Sequence, residues 1–258
     1  GLGDVYKRQS PTPSISTCPR CRRPNVIFVN YLGHLAIIAY LCAMNSEQAK
    51  PYNISIAKET IHDFDTVTFD GTISVIDTVE AADKAIAELE RETIVGFDTE
   101  TKPTFRKGPG NPVALMQIST DTHGYLFRLN KIGFPESLRR FIENSNVRKI
   151  GLSLKDDFFV MHRNGQFEPA GFLDLQKYVG RFKIADCSLQ RIYAILFNRR
   201  ISKGQRLSNW EASKLTSAQQ AYAVIDAWAC LKIYNYLEEG RFNPETSPYK
   251  VYPEELPA

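Results

Sequence analysis

From residue 72 onward the apolar positions fall into short runs whose period changes from two to about 3.6 and back. TISVIDT (72–78) alternates like a strand. Asp77 or Thr78 can then cap a helix running to about Glu92, because Ala82, Ile86 and Leu89 share one helical face. IVGFDTE (94–100) is a strand of mostly buried character, and it opens into TKPTFRKGPGNP (101–112), a loop punctuated by prolines and glycines. ALMQIST (114–120) and YLFRLN (125–130) predict a hairpin around Asp121-Thr122-His123-Gly124. Pro135 opens a helix through Glu143, VRKIGLSL (147–154) returns as a strand, and a helix from about Lys155 to Arg163 follows. The remainder is mainly helical. SLQRIYAILF (188–197) is amphipathic, and Thr216 with Gln219 makes a capping box for a long helix reaching Glu239, where Gly240 stops it. Three strands in succession, a helix, another strand and further helices describe an α/β domain, a mixed β-sheet flanked by α-helices.

Residues 1–43 do not share this order. DVYKRQ (4–9) reads as the in-frame translation of a sequencing-library tag, and the first methionine is Met44. VIFVNYLGHLAIIAYLCAM (26–44) has the length of a marginal membrane span but contains Asn30, Gly33 and His34. CPRC (18–21) is half of a zinc site, and the spacing of His34 and Cys42 matches no common way of completing it. The expectation is a leader, non-native or disordered, over 1–43, an N-terminal extension over 44–71, the domain over 72–240 and a tail over 241–258.

Composition changes this picture in two places. With 258 residues, 43% apolar and 24% charged, the chain fits one globular domain with an appendage. Its net charge is +3, but residues 1–43 hold five basic side chains against one acid, so the rest is close to neutral. Any contact with a polyanion must come from local basic patches. Of five cysteines only Cys187 and Cys230 lie in the body, too few for a disulfide framework; a cytoplasmic location and no membrane association are expected.

Candidate chemistry sits at three acidic stations. Asp98 and Glu100, two apart on a strand, project to the same face. Taken alone they suit a solvated edge or a metal. Asp156 and Asp157 fall in the first turn of a helix, where acids complement the dipole. Asp226 lies four residues after Tyr222 on a helix that is apolar nearly all round, so its carboxylate needs a cation, a proton or a salt bridge. No G-x-S-x-G elbow, P-loop or dinucleotide-binding glycine fingerprint competes, and His62, His123 and His162 lack ligand spacing. Four carboxylates converging from three elements are a natural cradle for two Mg²⁺ or Mn²⁺ ions about 3.5–4 Å apart, the arrangement that clamps the oxygens of a phosphodiester displacement.

FDTE (97–100), LKDDF (154–158) and YAVID (222–226) resemble, in order and spacing, the three motifs of the DEDD superfamily of 3′–5′ exonucleases; the tyrosine marks its DEDDy subgroup. The resemblance spans about residues 72–240. It implies a ribonuclease-H-like fold and two-metal hydrolysis of DNA or RNA from the 3′ end, releasing nucleoside 5′-monophosphates. Asp98, Glu100, Asp157 and Asp226 would hold two divalent cations, and Tyr222 would orient the attacking water. Asp157 is favoured over Asp156 by its position two residues after Lys155. Thr99, Lys102, Phe158, Arg206 and Trp210 are candidates for substrate contact, together with Phe105, Arg106, Lys107 and the lysine and arginines of NRRISKGQR (198–206). Ser213-Lys214 stands where the family usually has Arg-Pro, which bears on local substrate contacts. A non-catalytic nucleic-acid-binding module of the same fold is the alternative. With the chain ending soon after the third motif, no appended polymerase, helicase or C-terminal helical domain is expected.

Overall fold

The alternation of strand residues sorts two apolar layers onto opposite faces of one sheet. The structure is a computed structural model that describes residues 50–104 and 110–253, within a unit beginning at Pro51. Residues 1–49, with the CPRC pair, and Phe105, Arg106 and Lys107 lie outside the described residues.

After β1 (Asn53–Ile54) and helix α1 (Lys58–His62) come β2 (Thr72–Ile76), α2 (Val79–Leu89), β3 (Ile94–Thr101), β4 (Val113–Ser119) and β5 (His123–Phe127). Then follow α3 (Leu129–Ile132), α4 (Glu136–Ile142), β6 (Arg148–Gly151), α5 (Leu154–Met161), β7 (Phe172–Asp174) and α6 (Leu175–Tyr178). The chain closes with α7 (Leu189–Phe197), α8 (Ser217–Glu238) and β8 (Lys250–Val251). The main sheet runs β2-β5-β4-β3-β6-β7. The β3–β4 and β4–β5 pairs are antiparallel, whereas β2–β5, β3–β6 and β6–β7 are parallel, so the sheet is mixed as expected.

Val95, Phe97, Met116 and Ile118 point to one face, where they pack with Ala82, Ile86 and Leu89 of α2, Phe141 of α4 and Met161 of α5. Leu115, Leu126 and Ile150 point to the other, beneath α7 and α8. Helices therefore cover both faces. Each fully buried Leu, Ile or Phe contributes about 1.5–3 kcal/mol, so these two layers are what hold the sheet between them.

Caps follow the sequence closely. Thr78 Oγ1 accepts from the Ala81 amide, and Thr216 with Gln219 forms the expected reciprocal capping box. Four elements differ from the apolar pattern. The strand expected over 125–130 spans His123–Phe127 instead, and Leu129–Ile132 form α3. The strand expected over 147–154 stops at Gly151, because Ser153 turns left-handed (φ 62°) to start α5. Strand β7 has only three residues, too few to show a period, and was not expected. Residues expected only as an extension and a tail pair with each other: β1 and β8 are antiparallel, with Asn53 opposite Val251. Ile54 and Ile56 anchor that extension in the α8-side core.

Candidate active site

Strand β3 places its acids by the same alternation that buries Val95 and Phe97. Gly96, Asp98 and Glu100 are left facing α8. A side chain at Gly96 would put its Cβ 1.9 Å from the Ala227 carbonyl oxygen, and one at Gly124 would lie 1.9 Å from Val224 Cγ2. These two glycines let α8 settle directly on the sheet, which brings Asp226, one residue before Ala227, down to Asp98. A register shift at the end of β3 (Glu100 opposite Leu115, Thr101 opposite Val113) leaves Ala114 as a bulge beside Glu100. Bulges at such rims re-aim a side chain.

One carboxylate oxygen from each of Asp98, Glu100 and Asp226 lies within 4.8 Å of the others. Asp157 is not part of this tight group; its carboxylate accepts a hydrogen bond from Thr99 Oγ1. It is nevertheless the second-station acid turned toward β3, and its charge acts on Asp98 and Glu100, while Asp156 is exposed. Tyr222 lies beside Asp226, and its hydroxyl favours the ionised Asp226 carboxylate.

Crowding and burial make the acids reluctant to ionise. Asp98 is pushed well above the usual carboxylate range by burial and then by Asp157, Asp226 and Glu100, with only the Thr99 amide pulling back. Burial and the charges of Asp226 and Asp157 raise Glu100 to about 8, against the opposing pull of Arg206 and Trp210. Asp226 rises to about 7 through burial, offset by Tyr222 and Lys203, and Asp157 to about 6, offset by Thr99. Tyr222 moves upward from its ordinary value through burial and then through Asp226, Glu100 and Asp98. Three close carboxylates with so little cationic help suit a hard divalent ion such as Mg²⁺ or Mn²⁺, since all their donors are oxygens.

These acids line a cleft of about 410 Å³ with Tyr222, Lys203, Arg206, Gln190 and Cys230. Of the residues expected to meet substrate, Arg206 lies in this cleft. Thr99 is engaged with Asp157, and Lys102 forms an ion pair with Glu211 at 3.0 Å. The expectation that Trp210 touches substrate is corrected: it is 0% exposed, its ring packed 6.0 Å from that of Tyr222. Its Nε1 makes no hydrogen bond of ordinary geometry, yet the indole favours ionised Glu100. Phe158 is half-buried, edge-on to Phe172 at 4.8 Å, as a core aromatic; the exposed ring on α5 is its neighbour Phe159.

Several residues of the site escaped the sequence pattern. Asp174 accepts from the Ser153 and Leu154 amides at 3.1 and 3.2 Å and so caps α5, the helix that carries Asp157. It lies on the unrecognised β7, so no pattern announced it. Gln117 pairs in register with Asp98, which puts both on the α8 face; it is fully buried and neither amide atom has a partner. Lys203 did not escape: it lies in the basic run 198–206 expected to meet phosphate, and it lines the cleft with Arg206.

Fold and site together define a ribonuclease-H-like domain with a cluster of acids at the centre of its sheet, and relatives agree with that definition. Residues 73–240 match the 3′–5′ exonuclease family, and the chain belongs to it. An Arabidopsis thaliana 3′–5′ exonuclease is 32% identical over 197 residues, covering 68% of this chain and 67% of that protein. The Mus musculus bifunctional 3′–5′ exonuclease/ATP-dependent helicase WRN is 28% identical over 176 residues, covering 64% of this chain but only 13% of the mouse protein. Among solved structures, the exonuclease domain of Aedes aegypti Nibbler superposes with a TM-score of 0.60 at 21% identity, covering 70% of this chain and 96% of that one.

Proposed function

We propose that the domain over residues 72–240 is a metal-dependent 3′–5′ exonuclease that removes nucleoside 5′-monophosphates from the 3′ end of DNA or RNA. The observation that carries this reading is the convergence of Asp98, Glu100 and Asp226 within 4.8 Å, with Tyr222 alongside. Asp98, Glu100, Asp226 and Asp157 would hold two divalent cations, which would activate water and neutralise charge on the phosphodiester.

The protein's own groups do the rest. Water attacks the terminal phosphorus, the P–O3′ bond breaks, and the departing 3′ oxygen takes a proton. Tyr222, its hydroxyl raised above the ordinary value, keeps its proton at neutral pH and serves as an orienting hydrogen-bond donor rather than a base. Arg206 and Lys203 line the same cleft as the acids and would hold the phosphate being cleaved. Asp174 fixes the start of α5, and with it the position of Asp157.

The test is incubation with 5′-labelled single- and double-stranded DNA and RNA in Mg²⁺ or Mn²⁺. A ladder shortening from the 3′ end, absent with chelator and with Asp98→Ala, is the expected result. Binding without mononucleotide release from any substrate would replace this reading with that of a binding module.

A further inference from the structure

The acidic cleft opens into a second recess of opposite charge. This recess, about 380 Å³, is lined by Lys58 and His62 of α1, by Arg200, and by Gln190, Lys203 and Arg206, which it shares with the acidic cleft. The segment 201–206 is the common wall of the two. Among the described residues, no carboxylate lines the recess. Among them too, Lys58, Arg200, Lys203 and Arg206 form no ion pair, whereas the adjacent Arg199 pairs with Asp65 at 3.2 Å. Arg200 Nε is buried without a partner.

The wall is also firmly built. The Arg200 amide donates to the Asp65 carbonyl at 3.0 Å, and the Arg200 carbonyl accepts from the Val67 amide at 2.9 Å. Ile61 and Ile201 are both buried and seat α1 on the core. Lys203 and Arg206 act on the cleft acids through space, Lys58 and Arg200 pair with no acid among the described residues, and together the four attract a polyanion. The order of charge, acids at the reacting end and cations behind it, is the complement of a phosphodiester chain whose last linkage sits on metal-binding carboxylates. A cleft of about 410 Å³ is of the size that holds one small ligand, so the chain enters as a single strand.

Resting on the exonuclease reading above, we propose that the strand on the 5′ side of the scissile nucleotide crosses residues 201–206 and lies in this recess. Its phosphates would be held by Arg200 and Lys58, with Lys203 and Arg206 at the junction beside the phosphate being cleaved. Helix α1 precedes the family match at residue 73, so part of the substrate track would come from the N-terminal extension.

The experiment compares the full chain with Lys58→Glu and Lys58→Glu/His62→Ala, both confined to exposed side chains. Affinity for a fluorescein-labelled single-stranded oligonucleotide long enough to fill both recesses is measured by anisotropy in EDTA across a salt series. Dinucleotide hydrolysis in Mg²⁺ is measured in parallel. Lys58→Glu is expected to weaken the oligonucleotide several-fold and to lower the salt slope by roughly 0.7 for each phosphate no longer neutralised, with dinucleotide turnover unchanged. Unchanged affinity and slope would overturn the proposal, as would an equal loss on the dinucleotide. If the unaltered chain hydrolyses nothing, the exonuclease reading fails, while the anisotropy series still decides the recess.

Discussion

Two parts of this domain bury charge, and they treat it differently. Lys149 on β6 is 0% exposed, and its ammonium donates to the Asn144 and Ala170 carbonyls between the rings of Phe141 and Phe172. Arg128, 1% exposed, donates to the Ala212 and Ser213 carbonyls. Neither forms an ion pair among the described residues, although Arg128 Nε is left without a partner and Asp77 acts on Arg128 through space. The acids of β3 and α8 instead face one another, with Gln117 unpartnered across from Asp98. The fold can satisfy a buried charge with its own carbonyls, so the unmatched carboxylates mark a place kept for something the chain does not supply. Backbone carbonyls satisfy the donors of Lys149 even though burial disfavours its charged form, whereas acids left among like charges are held in readiness at a cost in stability.

The sharpest challenge to this contrast is Asp226→Asn. Hydrolysis is expected to fall at least about a thousandfold, about 4 kcal/mol of transition-state stabilisation, while metal-free stability stays level or rises because a repelling charge is gone. Urea unfolding beside single-turnover kinetics separates the two. Lys149→Met should do the reverse. Two carbonyls lose their donor, stability drops by about 3 kcal/mol in urea titrations, and turnover of the folded fraction is unchanged.

Metal and pH come next. At saturating levels near 100 times Kd, Mg²⁺ or Mn²⁺ should raise the melting temperature by roughly 5–10 °C at pH 8. The gain should shrink toward pH 5, where protons compete for the same oxygens. The metal-free protein carries the opposite trend. Glu100, Asp226 and Asp157 have folded values of about 8, 7 and 6, all above their unfolded values. Their contribution to stability is complete below the unfolded values, near pH 4, and is lost as pH rises toward 8. Lys149, lowered to about 8 by burial, has the other sign: its contribution is present above about pH 10 and lost as pH falls through 8. Melting curves in EDTA across pH check both signs, and a flat profile would dissolve the contrast. The smallest effect is expected for Tyr222→Phe: turnover about thirtyfold lower, about 2 kcal/mol, with metal affinity kept. A larger loss that vanishes at high pH would instead make Tyr222 a base.

Much of this organisation was legible in the chain. The alternation of IVGFDTE assigned both the buried face of β3 and the joint direction of Asp98 and Glu100, and the capping box announced α8. Three motifs in order led to the family to which residues 73–240 belong. Illegible were the parts whose meaning depends on distant neighbours. Trp210 in a polar stretch looked like a substrate contact and is core. β7 is too short for a period, so Asp174 gave no sign of capping α5. Lys58 and His62 stood in an extension with no visible connection to the motifs, yet they line a recess contiguous with the acids.

Local order fixes which side a residue faces, because periods of two and 3.6 are backbone properties that any short stretch carries with it. The elements, their apolar faces and the identity of the acids could therefore be read directly from the order of residues. How closely those acids meet, which cations oppose them and which aromatic rings remain exposed emerged only once the chain was folded. Those outcomes depend on packing distances such as the approach of Ala227 to Gly96, set by residues more than a hundred positions apart in the chain.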